Sequence, residues 1–235
     1  MSEHVVMIGA CGWQHPEWTG EFYPDDLPEE WLLGYYGNEY PVVMVPAEYW
    51  AQGEETIEEW LEESDESLRF LAQWPDSSSP DSSKSDSSIS EEQKQQARTG
   101  LKIVSEQVSG ILIPISGEVS AADWDEYKSL AKQYPLSFDL GNEPDATSRA
   151  MLKEHFTDQP YNICWYGNAQ NGDDIQSGSI GVCRLSGEIE PKDLRVIMEN
   201  MVKSSSDKRS LILIVDGQPP AMQLLTNAGI ILDLL

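Results

Sequence analysis

Positive charge is what this sequence most lacks. Lys and Arg number 15 against 41 Asp and Glu, a formal net charge of −26 over 235 residues. A surface that negative repels phosphodiester backbones and anionic bilayers, so neither nucleic acid nor a membrane is an expected partner. Cysteine is scarce as well. Cys11, Cys164 and Cys183 form an odd set whose spacing fits neither a disulfide framework nor a zinc knuckle. The three histidines, His4, His15 and His155, lack metal-ligand spacing, so no metal and no cofactor is expected. No apolar run approaches the ~20 residues that span a bilayer. The opening Met1-Ser2-Glu3-His4 has no basic start of the signal-peptide kind, and a cytoplasmic location is the simplest expectation. Gly-x-Gly-x-x-Gly does not follow the first apolar run, which counts against a dinucleotide fold, and there is no phosphate loop, nucleophile elbow or Ser-His-Asp order.

What is present is a rhythm. Hydrophobic residues make up 40% of the chain, enough for a large core. Short apolar runs at Val5–Ile8, Val42–Val45, Leu68–Trp74, Ile111–Ile115, Leu136–Leu140, Tyr161–Tyr166, Ile180–Leu185 and Leu211–Val215 read as strands. Pro114 predicts an irregular end to the fourth of these, because proline cannot donate to a ladder. Amphipathic segments between them read as helices: Leu27–Tyr36 with Pro28 in its first turn, Thr56–Ser64 opened by a Thr56/Glu59 capping box, Ser90–Val108, Ala121–Gln133, Ala146–His155 capped by Asp145, Pro191–Val202, and one beginning at Pro219. Residues 76–89, rich in Ser and Asp, cannot bury a core and read as a disordered loop. Residues 167–177 are too polar for a packed helix, which implies one degenerate β/α unit after the sixth strand. Eight strands alternating with helices in one domain over residues 1–235 predict a parallel (β/α)₈ barrel of the TIM type.

The N-terminal block Ile8-Gly9-Ala10-Cys11-Gly12-Trp13-Gln14-His15-Pro16-Glu17-Trp18, continued by Phe22-Tyr23-Pro24, Leu27-Pro28 and Trp31, resembles the opening of the uncharacterised DUF72 family. Arg184-Leu185-Ser186-Gly187 is similar to that family's Arg-Leu-His-Gly, and Phe138-Asp139 stands where the family has Val-Glu. The resemblance implies a TIM-type barrel. Much of the family's polar mouth is replaced: Met44 and Pro46 stand for a Glu and an Asn, Gln73 for a Lys, Gly141 for an Arg, and Asp216-Gly217 for an Asn pair.

Chemistry in such barrels sits at the C-terminal ends of the strands. The candidates there are Asp139, Glu143 and Asp216 for catalysis, and Trp13, His15, Trp50, Trp74 and Arg184 for ligand binding. Asp139 and Arg184 fall on inward-facing registers of strands five and seven. They can pair bidentately, either to present Arg184 to an anion or simply as a structural ion pair; the structural reading leads, because a buried charge must be paired whatever the function. Asn142-Glu143-Pro144 is similar to the acid/base motif of barrel glycosidases, with Glu188 the available second carboxylate, although a capping turn explains it equally well. Trp13, Trp18, Tyr49, Trp50, Trp74 and Trp165 either stack a ligand or close the barrel end, closure being the commoner fate of such rings. Glu48 stands in the same region, and Cys11 reads as an inert core thiol rather than a nucleophile.

Two functional readings follow. One is a degenerate family member, a pseudoenzyme that binds a small ligand or a protein partner. The other is a hydrolase of phosphoesters or glycosides using Asp139, Glu143, Arg184 and Asp216. Many hydrated carboxylates with few Lys and Arg also suit high ionic strength. Self-repulsion is screened once the Debye length falls below ~10 Å, above about 0.1 M salt. Raising KCl from about 0.1 to about 2 M should therefore raise the melting temperature, most steeply at the low-salt end. A melting temperature flat in salt would show that surface repulsion does not limit stability.

Overall fold

The structure, a computed structural model, describes residues 5–76, 91–143, 146–167, 178–203 and 210–235. Eight parallel strands follow in chain order: β1 (Val5–Cys11), β2 (Val42–Val45), β3 (Arg69–Gln73), β4 (Val108–Pro114), β5 (Leu136–Asp139), β6 (Asn162–Ile163), β7 (Ile180–Ser186) and β8 (Ser210–Asp216). Between and after them run α1 (Leu32–Glu39), α2 (Glu54–Glu63), α3 (Glu91–Ile103), α4 (Ala121–Leu130), α5 (Ala146–His155), α6 (Pro191–Lys203) and α7 (Met222–Leu232). The strands are ordered β6-β5-β4-β3-β2-β1-β8-β7, so each sequence neighbour is also a spatial neighbour and β8 returns to β1. This is the (β/α)₈ barrel expected from the sequence. Residues 77–89 of the Ser/Asp-rich stretch, Ser90 at the start of the expected third helix, the expected cap Asp145, and residues 168–177 of the degenerate unit lie outside the described residues.

Alternation along each strand builds two apolar layers. Met7, Val42, Met44, Leu71, Leu112, Val182, Ile212 and Ile214 point into the barrel and form its filled centre. Their neighbours one residue along, such as Val43, Phe70, Ile113, Phe138, Cys183 and Leu213, point outward and pack under the helices. The strands are therefore buried on both faces, which is why they read as unbroken apolar runs rather than alternating ones.

The join between β6 and β7 is the weakest, because β6 has only two residues. It is completed by side chain and by bridge. Asn162 Oδ1 accepts from the Val182 N–H (3.3 Å), standing in for a ladder carbonyl, and from Ser137 Oγ (3.0 Å). One turn further on, Trp165 donates to Val182 O (2.9 Å) and Arg184 donates to Trp165 O (2.8 Å), a parallel bridge that closes the ring. A second splice lies between β1 and β2. The buried Tyr36 hydroxyl accepts from the Ala10 N–H (2.7 Å) and donates to Val42 O (2.9 Å). Gly9 permits this: a Cβ there would sit 1.8 Å from Val42 O and 2.9 Å from the Tyr36 hydroxyl.

Several local expectations give way to tertiary packing. β1 does not end before Gly9 but runs through it to Cys11. Pro28 opens a 3-10 turn over Glu29–Trp31 rather than a helix, and α1 starts only at Leu32. α2 starts at Glu54, after Gly53 at φ 101°, so Thr56 lies inside the first turn and forms no capping box. α3 stops at Ile103, and residues up to Gln107 form a 3-10 turn that frees Val108 to open β4. α4 ends at Leu130, and α7 begins at Met222 rather than Pro219. The end of β4 is regular: Ile115 donates to Asp139 O (2.8 Å), and Pro114 faces the β3 side beyond its last paired residue, Gln73, where no donor is required. The register shift in this region falls instead at Phe70/Leu71 of β3.

Asn162→Ala would strand Ser137 Oγ and the Val182 N–H inside the wall. The loss should be about 2–5 kcal/mol in urea unfolding, at unchanged m-value. A loss below about 1 kcal/mol would mean that Asn162 does not hold the seam.

Candidate functional site

The C-terminal ends of β5, β7 and β8 bring three charges together. Asp139 ends β5, Arg184 lies near the end of β7 and Asp216 ends β8, each on the inward register of its strand. Arg184 Nη1 pairs with Asp139 Oδ2 and its Nη2 pairs with Asp216 Oδ2, so one guanidinium is clamped between two carboxylates. The outer oxygens are held too. Asp139 Oδ1 accepts from the Tyr166 hydroxyl (2.6 Å) and the Gly141 N–H (3.0 Å), and Asp216 Oδ1 accepts from the Gly217 N–H (2.9 Å). The guanidinium carbon lies 6.0 Å from the Tyr166 ring centroid, and the buried Nε makes no hydrogen bond among the described residues.

The electrostatics follow from burial. Desolvation alone would lower the pKa of Arg184, but the fields of Asp139, Tyr166 and Asp216 outweigh it and raise it. The Tyr166 phenol is pushed up, first by burial and then by Cys164 and Asp139, so it stays protonated and donates. Cys11, half-buried beside Asp216, is pushed up to about 12, mainly by burial and next by the Asp216 charge, against a smaller opposing pull from Arg184. It is a neutral thiol at physiological pH, in keeping with the inert reading; a nucleophilic cysteine needs the opposite shift.

The other sequence candidates separate into two groups. Trp13, Trp50 and Trp74 are buried in the shell outside the barrel, and their faces are taken by protein. Trp13 meets Tyr49 and Trp60 edge-on at 5.0 and 5.1 Å. Trp50 donates from Nε1 to Gln73 O (3.0 Å), and α3 approaches it so closely that a Cβ on Gly100 would meet its ring at 2.5 Å. Trp18 and Trp165 are buried as well. His15 lies above β1, its Nε2 2.9 Å from Cys11 O and its ring 4.5 Å from that of Trp18. A carbonyl only accepts, so Nε2 carries the proton. His155 ends α5 and stacks on Trp124 at 4.3 Å. Glu48 is exposed on a 3-10 turn after β2, and Asn142, Glu143 and Glu188 are exposed on loops after β5 and β7. Among the described residues, neither Glu143 nor Glu188 forms an ion pair with the cluster. No group of three or more His, Cys, Asp or Glu suited to a metal occurs among the described residues.

The structure thus brings Asp139, Arg184 and Asp216 together and leaves Glu143 outside. Two participants were not among the sequence candidates, Tyr166 and Asn162. Both lie on the inward alternation of the sixth apolar run, Asn162-Cys164-Tyr166, which is the signal that could have found them.

The fold and the placement of the cluster define a TIM-type (β/α)₈ barrel with its polar groups at the C-terminal mouth. The family model described as "Protein of unknown function DUF72" matches residues 7–195, and the chain belongs to that family. It is similar to the crystal structure of a DUF72 family protein from Enterococcus faecalis V583, at 14% identity, TM-score 0.66 and 100% coverage of each chain. A second crystal structure of that protein gives a TM-score of 0.64 at 14% identity, covering 98% of this chain and 96% of the other. A D-psicose 3-epimerase crystallised in the presence of D-fructose shares the fold at 10% identity and TM-score 0.56, with 97% of each chain covered. No curated protein matches. No helix among the described residues is long and apolar enough to cross a membrane.

Arg184→Met would leave Asp139, only 7% exposed, as an unpaired buried charge. It should cost about 3–5 kcal/mol, whereas the triple variant D139N/R184M/D216N should recover at least half of that in urea unfolding. No recovery would mean that packing around Arg184, not charge pairing, accounts for the loss.

Proposed function

We propose that this chain is a binding barrel with a non-catalytic mouth, and that it takes a small, uncharged polar ligand at the C-terminal face. The observation that carries this reading is the commitment of both terminal nitrogens of Arg184 to carboxylates of this chain. Recognition of a phosphate or carboxylate by arginine uses the two parallel N–H groups of its fork. Here both terminal nitrogens are committed to Asp139 and Asp216. An anion that took Nη1 would displace Asp139 and leave that carboxylate buried and without its cation, at a cost of about 3–5 kcal/mol.

The same arrangement counts against glycoside hydrolysis. A retaining pair needs two working carboxyls about 5 Å apart, one of them able to attack. In this mouth a guanidinium sits between the two carboxylates, and backbone N–H groups hold their remaining oxygens. The titratable groups beside them are neutral: the Cys11 thiol and the Tyr166 phenol. Trp13, Trp50 and Trp74 make the rigid shell that fixes these groups. Neutral donors and acceptors beside a net negative cluster suit hydroxyl-bearing ligands better than phosphoesters.

A thermal-shift titration in fixed salt tests the reading with three panels: neutral sugars and polyols, phosphate monoesters, and divalent cations. A neutral ligand should raise the melting temperature in proportion to ln(1 + [L]/Kd), and the phosphate panel should not. In parallel, chromogenic phosphate and glycoside esters should give no turnover. Hydrolysis that disappears in Asp139→Asn or Asp216→Asn would overturn the proposal in favour of a hydrolase. Silence across all three panels would remove the small-ligand assignment and leave a protein partner.

A further inference from the structure

Seven of the eight tryptophans are at most 4% exposed, whereas Trp31 is 62% exposed. It stands on the turn before α1, over the line where α1 and α2 come closest. There a Cβ on Gly34 would lie 2.5 Å from Glu63 O. A groove opens on either side of this contact. One, of about 500 Å³, is walled by Leu27, Trp31, Gly34 and Tyr35, with Glu62 and Glu63 opposite. The other, of about 270 Å³, is lined by Trp13 and Trp60 with Glu29, Glu30, Glu59 and Glu63. Glu63 belongs to both.

Aromatic and aliphatic walls whose only charged groups are carboxylates make an unusual lining. No Lys or Arg lines either groove. The ion pairs among the described residues all lie elsewhere, at α3–α4, within α6 and at the barrel mouth. The crowding is felt at Glu63, whose carboxyl is raised above the ordinary range first by burial and then by Glu59, Glu30 and Glu62. An open indole face beside unneutralised carboxylates is the pairing that holds a guanidinium or ammonium: the ring attracts the cation face-on, and the carboxylates take its N–H groups. A second copy of this chain is a poor occupant, because each copy carries a net charge of −26.

We propose that the Trp31 groove between α1 and α2 is a docking site for an arginine-bearing basic segment of a partner protein, with one cationic side chain stacked on Trp31 and reached by Glu62 and Glu63. The site lies on the helical layer, apart from the barrel mouth, and stands or falls independently of the ligand proposed there.

The test uses the full chain and a fluorescein-labelled peptide of alternating arginine and serine, followed by fluorescence anisotropy in one fixed buffer. The wild type should bind saturably, and a matched glutamate–serine peptide should not. Trp31→Ala and E62Q/E63Q should each weaken binding about tenfold, while E188Q/E190Q, which removes the same charge from exposed positions after β7, should stay within about twofold. Trp31→Phe keeps a ring face and should lose less than Trp31→Ala, which guards against a general effect of the substitution. Equal weakening in all the carboxylate variants would reduce the effect to the field of the whole surface and overturn the proposal. So would an absence of saturable binding, or a sedimenting dimer in which Trp31 becomes shielded.

Discussion

Closure of the sheet is the constraint on which the rest depends. An eight-stranded parallel sheet has no exposed edge only if its two end strands meet, and here those are β6 and β7, β6 being the shortest strand. Backbone ladders supply the other seven joins. At β6–β7 the protein uses the Asn162 amide, the Trp165 bridge and, one level higher, Arg184, which reaches from β7 to Asp139 on β5 and Asp216 on β8. The cluster at the mouth is thus also a clasp across the weakest part of the wall. A residue used in this way loses freedom to act on a ligand, and the structural and functional halves of the molecule meet in that trade.

Charge is arranged by the same logic. Outside, carboxylates outnumber cations heavily, and hydration makes them tolerable. Inside, a single guanidinium is paired on both sides, and the polar groups around it are neutral. The barrel mouth and the Trp31 groove are consequently unlike in kind. At the mouth opposite charges are already matched within the chain, whereas in the groove like charges stand together around an exposed ring. One cluster pairs its charges within the chain, and the other is proposed to offer charge to a partner.

Much of this was legible in sequence. Strands buried on both faces appear as continuous apolar runs, and these locate all eight strands within a few residues. The pairing of Asp139 with Arg184 also follows from inward registers on alternate strands. Asp216 was visible as a strand-end carboxylate, but its sharing of the same guanidinium was not, because that depends on how far β8 is staggered against β7. The buried tryptophans were visible only as residues near strand ends. Whether Trp50 faces a ligand or a helix is decided by Gly100 on α3, fifty residues away. Local signals failed where longer-range contacts compete with them. The Thr56/Glu59 capping pattern loses to Gly53, whose positive φ turns the chain into α2 two residues earlier.

The sequence by itself determined the barrel class, the family and the negative net charge, since each depends on composition, periodicity or short motifs that do not change with context. The tertiary structure alone decided that Arg184 is spent on two aspartates, that Asn162 stands in for a missing carbonyl, and that seven tryptophans are sealed while Trp31 is left open. The physical reason is one of range. Strand and helix identity are written in neighbouring residues, but partnership and burial are set by groups that only the closed barrel brings within a few ångströms of one another.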